Sequence, residues 1–443
     1  MRMKTQQKVA VRRQRAAPKI NLETVVFSAI LLIVVISFFL GFLMGEDSIG
    51  GARFDFYKFH WPIIERFSTT SWSMAVADYP SATNPLLYML ASLSPFHNDP
   101  DTYRGMAFAI AFLTWPLLSW AYHRRYSKYG IDWLWSSFGA SAILVSPSFR
   151  SSAIWGTTDY LPFVLCAGTS LLLSRFQDLE GREARPIGPL SLITVAVVSS
   201  CAFYVRQFYA FVPAIAAYLV IRRTRTSPFV VLSVFFLAAL PEVFLIFLWK
   251  GLNPPRFHRQ FHPAMTNVLT VGAIIGFLST PLIIGCIRRS LGDVLPEWWG
   301  LRSTVIAFAG LLILMFALGA TSWPEAGGGI VVKAGVRMGA LGTPFILTAS
   351  YLGLLAATFF SMRSPTNALL AGAFVLPFFL AFPTYQHYLE PSLAIALFLF
   401  ADVQTARVLF NKRVLTYNFA FTVLILAIGI AHYDLFNDLP EIK

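Results

Sequence analysis

The feature that most constrains this chain is a series of long apolar runs without a charged residue. The first, 24–45, is longer than the ~20 apolar residues that a helix needs to cross a bilayer. The runs are continuous rather than alternating, which excludes a transmembrane β-barrel. We therefore predict an all-α polytopic membrane protein with about 13 transmembrane helices, 11–13 being compatible with the soft boundaries. The predicted spans are 24–45, 104–121, 131–147, 159–174, 188–204, 207–221, 228–249, 264–287, 301–320, 339–361, 365–382, 388–401 and 415–431.

Composition agrees with this fold class. Charged residues make up 13% of the chain and hydrophobic residues 56%, whereas soluble domains carry roughly 25% charged residues. Soluble, disordered and fibrous proteins are thereby excluded. The net charge of +13 comes from Lys and Arg in short loops, so we expect no nucleic-acid partner. The three cysteines lie in apolar runs and predict neither a disulfide framework nor a metal site.

The loop charges predict the topology. With the N-terminus inside, roughly two-thirds of the Lys and Arg residues fall on the cytoplasmic side, as the positive-inside rule requires. We expect a basic cytoplasmic tail at 1–23, a single transmembrane domain at 24–443, and an outer C-terminus. The chain has no N-x-[ST] sequon, so we favour a bacterial inner membrane over the endoplasmic reticulum.

The first outer loop, 46–103, is the longest predicted connection. Long loops in compact proteins are usually functional or disordered, and the many aromatic residues here argue against disorder. The stretch FYKFHWPIIERF is amphipathic, and PLLYMLASL is apolar but too short to span. We expect short interfacial helices along the outer, periplasmic or luminal, face of the membrane.

Polar residues gather in this loop and in four other predicted outer segments, where they are costly unless paired or functional. A carboxylate-rich first loop opposite a cationic fourth loop suits an anionic lipid head group and a reacting hydroxyl. The candidate residues are Asp47, Asp55, Lys58, His60 and Asp78 in the first loop, Arg206 and Gln207 in YVRQFY, Arg256, His258 and Arg259 in KGLNPPRFHRQFH, and His387, Tyr388 and Glu390 in FPTYQHYLEP. The remaining segment is FRSSAIWGTTDY, which contains Arg150 and Asp159.

This layout resembles the GT-C superfamily of glycosyltransferases that use lipid-phosphate sugars. Several islands are similar to the endoplasmic-reticulum α-1,2-glucosyltransferases that complete the dolichol-linked oligosaccharide. DFYKFHWP (55–62) resembles their Asp-Glu-x-Phe-His-x-Pro, and DYPSATNPLLY (78–88) resembles a proline-rich stretch ending in Leu-Tyr. FYVRQFY (203–209) is similar to Phe-x-Arg-Gln-Thr-Asn, and YQHYLEP (385–391) to a later Arg-His-Tyr. Phe56 stands where that family has Glu, and Phe208 and Tyr209 where it has Thr-Asn.

The resemblance implies inverting transfer from a polyprenyl-phosphate sugar to a lipid-linked glycan, polysaccharide or lipid. Asp55 would be the general base, with Asp78 or Asp47 as alternates. Basic and polar residues would bind substrate and its phosphate. They are Lys58, His60, Arg206, Gln207, Arg256, His258, Arg259, His387, Tyr388 and Glu390. We expect no metal or other cofactor, and leave divalent-cation dependence open.

Each residue also has a structural interpretation. Asp55 is equally compatible with a solvated loop carboxylate or a helix N-cap. Arg206 could extend to lipid head groups, and the Arg256 segment could attract anionic lipid without specificity. Two rival functions stay open: a polysaccharide polymerase or ligase that uses lipid-diphosphate glycans, and a transporter or flippase. Glu242, inside an apolar run beside Pro241, is the ionisable residue that transport would need.

Overall fold

The described part of the chain is helical. The computed structural model describes residues 22–176, 186–251, 253–254, 256–257, 265–287, 306, 308–310, 313, 328–380 and 384–435. No strand occurs among them. The helices of the first half are α1 (Leu22–Met44), α2 (Ala52–Asp55), α3 (Trp61–Thr69), α4 (Trp72–Ala77), α5 (Leu86–Leu93), α6 (Pro100–Phe112), α7 (Thr114–Tyr126), α8 (Trp133–Ser141), α9 (Pro147–Trp155) and α10 (Tyr160–Ser174).

The second half continues the same all-helical pattern. Its helices are α11 (Pro189–Val205), α12 (Phe211–Arg223), α13 (Pro228–Trp249), α14 (Met265–Ile287), α15 (Gly329–Arg337), α16 (Gly342–Met362), α17 (Pro365–Leu380), α18 (Gln386–Phe400), α19 (Val403–Leu409) and α20 (Lys412–Ile430). Short 3₁₀ turns follow α7 and α11, and π-helical turns follow α2 and α20.

The prediction of a helical membrane protein is confirmed. Among the described residues, six helices are long and apolar enough to cross a bilayer. They are Leu22–Met44, Pro100–Tyr129, Pro228–Trp249, Thr266–Gly285, Gly339–Met362 and Lys412–Tyr433. Their outer faces carry bare apolar side chains: on α13, Phe229 and Phe247 are 77% and 76% exposed. Such a surface is compatible with lipid, because an apolar side chain that already faces lipid gains no hydrophobic free energy from being buried in the protein.

The predicted count of 13 spans goes beyond these six. Three further apolar helices, Tyr160–Ser174, Pro189–Val205 and Pro365–Leu380, match predicted spans and are shorter. The predicted span 131–147 is broken, because α8 ends at Ser141 and α9 begins at Pro147, which lacks a backbone N–H and suits a first helical turn. Most of 301–320, residues 1–21 and 436–443 lie outside the described residues.

The long helices give the bundle two distinct ends. With 23 residues, α1 is about 35 Å long. At its start, Glu23 pairs with Lys412 of α20 at 2.6 Å and accepts from the Trp135 indole of α8 at 3.1 Å. Past its other end, Glu46 pairs with Arg150 of α9. We call these the Glu23 end and the Glu46 end.

Small residues allow the closest helix contact, between α14 and α16. Gly272 and Gly276 of α14 lie directly against the backbone of Ser350 and Gly353 of α16. The Ser350 hydroxyl also donates to the carbonyl of Leu269 at 2.6 Å. Backbones that approach this closely gain van der Waals contact and interhelical hydrogen bonds, the two interactions that hold helices together in lipid.

Candidate functional site

The first loop folds into short helices, as expected, and its first turn places Asp55. The Asp47 carboxylate accepts from the backbone N–H groups of Gly51 at 2.8 Å and Arg53 at 3.1 Å, which fixes the start of α2. One residue after Asp55, Phe56 is fully buried and stacks on Tyr103 of α6. Because Phe56 anchors the chain on one side, Asp55 is left accessible on the other.

A π-helical turn, Phe56–His60, follows Asp55 directly. Single π-turns inserted in α-helices occur frequently at functional sites. Here the turn ends with His60, whose Nδ1 lies 2.5 Å from the Tyr88 hydroxyl of α5. That hydroxyl lies 3.2 Å from the Thr83 hydroxyl, which lies 3.0 Å from Ser81. The segment 78–88 is thus connected to the imidazole by a chain of hydroxyl groups.

His60 is a neutral imidazole in this setting. Burial, with the nearby positive charge of Arg206 adding to it, lowers the pKa of His60 to about 3. Burial also raises the pKa of Tyr88, so the phenol keeps its proton. A neutral histidine donates and accepts hydrogen bonds, which suits sugar hydroxyl groups better than it suits a phosphate anion.

Arg206 lies at the centre of the site. Its extended backbone (φ −156°, ψ 130°) ends α11 and turns the chain into the 3₁₀ turn Gln207–Ala210. The buried guanidinium forms an ion pair with Asp159, at the start of α10, and its Cζ lies 4.2 Å from the ring centre of Tyr388. Its Nε has no hydrogen-bond partner among the described residues. Arg206 is therefore held in place with a donor still available.

The electrostatics of Asp55 connect it to Arg206. Desolvation by the surrounding protein raises the pKa of Asp55, repulsion from Asp47 raises it further, and the Arg206 charge opposes both. Burial raises the pKa of Tyr385, just before α18, and the negative charge of Asp55 raises it further. An accessible carboxylate with a raised pKa, within electrostatic range of a buried cation, is suited to accept a proton.

Four segments distant in sequence thus come together at the Glu46 end: the first loop, the start of α10, the end of α11 and the start of α18. We call Asp55, His60, Tyr88, Asp159, Arg206, Tyr385, His387 and Tyr388 the Asp55 cluster. Aromatic contacts complete it: His387 stacks on Tyr385 with ring centres 5.2 Å apart, and Phe208 lies 4.9 Å from Tyr388. Gln207 contributes indirectly, because its amide donates to the Ala82 carbonyl at 3.0 Å and positions the 78–88 segment.

Several predicted site residues have other contacts. Asp78, an alternate base, is exposed and pairs with Arg66 at 3.3 Å and Arg256 at 3.1 Å. The ion pair between Asp78 and Arg256 joins the first predicted outer loop to the fourth. Lys58 contacts the rings of Phe54 and Phe59 and points to solvent. His258 and Arg259 lie outside the described residues.

Glu390 and Asp47 have structural contacts. Both carboxylate oxygens of the buried Glu390 accept from hydroxyl groups of the α9 segment, Ser146 at 2.9 Å and Ser148 at 2.8 Å. One Asp47 oxygen holds the turn before α2. These contacts stabilise local structure, and the predicted roles of the two residues in substrate binding and catalysis stay predictions.

Sequence reasoning missed the roles of Asp159 and Tyr88. Both residues stand in stretches that drew attention, FRSSAIWGTTDY and DYPSATNPLLY. An acid at the start of one span opposite an arginine at the end of another was the available signal for Asp159. Tyr88 carried no comparable signal, since a tyrosine at a helix end is ordinarily an interfacial anchor.

No three His, Cys, Asp or Glu side chains come together as a metal site in the part of the chain that the structure describes. The expectation of metal-free chemistry stays a prediction. No protein-family model, curated protein or solved structure matches this chain. Function is therefore inferred from the residues and geometry of the Asp55 cluster.

Proposed function

We propose that this chain is an inverting glycosyltransferase of the GT-C type. It would transfer a sugar from a polyprenyl-phosphate donor to a glycan or lipid acceptor at the Glu46 end of the bundle. The observation that carries the proposal is an accessible carboxylate, Asp55, within electrostatic range of a buried arginine, Arg206, whose Nε has no hydrogen-bond partner among the described residues. These are the two groups that such a transfer needs: a base and an anion stabiliser.

A hydroxyl oxygen of the acceptor attacks the anomeric carbon and forms the new glycosidic bond while Asp55 accepts its proton. The bond from the anomeric carbon to the phosphate oxygen breaks, and polyprenyl phosphate departs with the electron pair. Arg206 donates hydrogen bonds to the phosphate as its negative charge grows. Asp55 then releases its proton to water.

Neutral side chains around this pair suit the sugar itself. His60 and Tyr88 are uncharged hydrogen-bonding groups, so they recognise hydroxyls without competing for the phosphate. The rings of Tyr385, His387 and Tyr388 add flat surfaces on which the apolar face of a pyranose can lie.

The proposal includes the finer predicted topology. About 13 spans with an inner N-terminus would place the Glu46 end, and with it the Asp55 cluster, on the periplasmic or luminal face of, we infer, a bacterial inner membrane. The transporter alternative depends on Glu242, whose Oε2 is buried without a hydrogen-bond partner among the described residues. Its Oε1 accepts from the Asn84 amide at 2.9 Å, which ties the first loop to α13.

A transfer assay tests the function. Purified protein in nanodiscs is given a panel of radiolabelled polyprenyl-phosphate hexoses, with lipid extract from the source membrane as acceptor. We expect label in a new product, loss of transfer in Asp55→Asn, and normal transfer in Asp101→Asn. Asp101 is the matched control, since it is an exposed carboxylate of the same loop, paired with Arg104. Full transfer by Asp55→Asn would exclude Asp55 as the general base.

A further inference from the structure

A second site lies at the opposite end of the bundle from the Asp55 cluster. A cavity of about 550 Å³ opens at the Glu23 end, between the end of α7, α19 and the turn into α20. That volume lies within the range of roughly 300–1,000 Å³ typical of small-molecule sites. The proposed transfer reaction does not use this cavity. Its walls include apolar residues, Ile131, Val408 and Phe410, and polar ones, Tyr129, Gln404 and Arg407.

The charge of the cavity is positive. Arg407 contributes a guanidinium whose Cζ lies 5.1 Å from the ring centre of Tyr129, and no Asp or Glu is among the described residues that line the cavity. The nearest acid in sequence, Asp402, caps α19. Its carboxylate accepts from the backbone N–H of Gln404 at 2.8 Å and from the Asn367 amide at 2.8 Å. The Arg407 charge is therefore available to an anion.

The position of the cavity identifies the kind of anion. It lies beside the start of Lys412–Tyr433, one of the helices long and apolar enough to cross a bilayer. The flank of that helix is lipid-compatible, with Leu424 56% exposed. A cavity at the first turn of such a helix lies near the depth of lipid head groups, and basic pockets between membrane helices bind anionic head groups.

We propose that the Arg407 cavity binds the phosphodiester of an anionic membrane lipid at the end of the bundle opposite the Asp55 cluster. The guanidinium of Arg407 contacts the phosphate oxygens, and the Gln404 amide and Tyr129 hydroxyl donate further hydrogen bonds. Ile131, Val408 and Phe410 contact the first carbons of the lipid. These apolar walls favour a lipid over a free phosphate, which would leave them facing water.

The test measures lipid retained by the full-length protein. Protein purified in a neutral detergent is mixed with phosphatidylglycerol or phosphatidylcholine, and bound lipid is counted by native mass spectrometry. We expect a preference for phosphatidylglycerol that weakens about tenfold in Arg407→Gln, as expected for the loss of a charge-assisted hydrogen bond. Arg413→Gln is the matched control, because Arg413 is exposed nearby and does not line the cavity.

Three outcomes would overturn the proposal. The wild-type protein could show no preference for phosphatidylglycerol, or Arg413→Gln could lose as much lipid as Arg407→Gln, which would indicate nonspecific attraction. Glycerol 3-phosphate or inorganic phosphate could displace the lipid at equal concentration, which would assign the cavity to a soluble anion. Thermal unfolding of both variants confirms that they are folded. None of these results depends on sugar transfer, so the two proposals fail independently.

Discussion

Two buried arginines at the Glu46 end use their donors in opposite ways. Arg150 donates all five of its N–H groups to partners inside the protein. It donates to Glu46 through Nε at 2.8 Å and through Nη2, to Ser37 at 3.2 and 3.0 Å, and to the Leu144 carbonyl at 3.2 Å. Arg206 pairs with Asp159 and stacks on Tyr388, while its Nε has no partner among the described residues.

The difference separates a structural arginine from a candidate ligand. Both side chains are almost fully buried, 2% and 8% exposed, so burial alone does not distinguish them. An arginine whose donors are all satisfied within the protein has nothing to offer a substrate. One that keeps a donor without a partner, within electrostatic range of an accessible carboxylate, can form one more hydrogen bond to an anion that reaches it.

The largest expected effect is on stability, at Arg150. Arg150→Met leaves Glu46 buried and unpaired, and we expect it to lower the free energy of unfolding by about 3–5 kcal/mol. Denaturant unfolding in detergent measures this. The double variant Glu46→Gln with Arg150→Met should recover most of the loss and transfer sugar normally. Asp101→Asn, at an exposed pair, should change stability by less than about 1 kcal/mol. A double variant that is stable but inactive would contradict the structural role.

The next effect is on transfer, at Arg206. Arg206→Met removes the cation at the growing phosphate charge, and we expect the rate to fall about 100- to 1,000-fold. Because Arg206→Met leaves the Asp159 carboxylate without its ion-pair partner, Asp159→Asn is combined with it to restore stability. Single-turnover transfer with labelled donor then measures the chemistry alone. Recovery of transfer together with stability would make Arg206 equivalent to Arg150 and would remove the distinction between them.

Sequence reasoning identified the parts of the Asp55 cluster that local patterns carry. Asp55 and His60 stand in one short amphipathic island, and Arg206, His387 and Tyr388 flank apolar runs. Polar residues at the ends of predicted helices meet if the helices pack side by side. This expectation does not require knowing which helices are neighbours. It is therefore enough to predict that these distant segments lie at the same end of the bundle.

The contacts that the sequence does not predict depend on direction within a turn of helix. Glu390 is two residues after Tyr388, hence on the opposite side of α18, where it contacts Ser146 and Ser148. A list of polar residues does not contain that rotation. One readable signal was overlooked: the GAIIG stretch from Gly272 to Gly276 has the G-x-x-x-G spacing that predicts a close helix contact, and α14 makes such a contact with α16.

A smaller effect is expected at Asp159. Asp159→Asn leaves the Arg206 charge in place and stacked on Tyr388 but removes the ion pair that orients it. We expect transfer to fall about 10-fold, less than in Arg206→Met, because misplacement costs less than removal. Glu46→Gln is the counterpart at Arg150 and should leave transfer unchanged. A loss in Asp159→Asn as large as in Arg206→Met would show that Asp159 itself contacts substrate.

The smallest effect at neutral pH, and the sharpest in assignment, is the pH profile. Asp55 must be ionised to accept a proton, and its pKa is raised above 3.8 by desolvation from the surrounding protein and by repulsion from Asp47. The transfer rate should therefore fall about tenfold per pH unit below that raised pKa and level off above it. His60, with its pKa lowered to about 3, should add no change near pH 6.5.

Two variants decide which group gives the acid limb of that profile. His60→Gln keeps a neutral hydrogen-bonding side chain, so the limb should keep its midpoint while the rate changes only a few-fold. Arg206→Met removes the charge that holds the pKa of Asp55 down, so the midpoint of its residual rate should move to higher pH. A midpoint of the rate profile near pH 6.5 that disappears in His60→Gln would instead make His60 the base. Asp55 would then have only a structural position, as the last residue of α2.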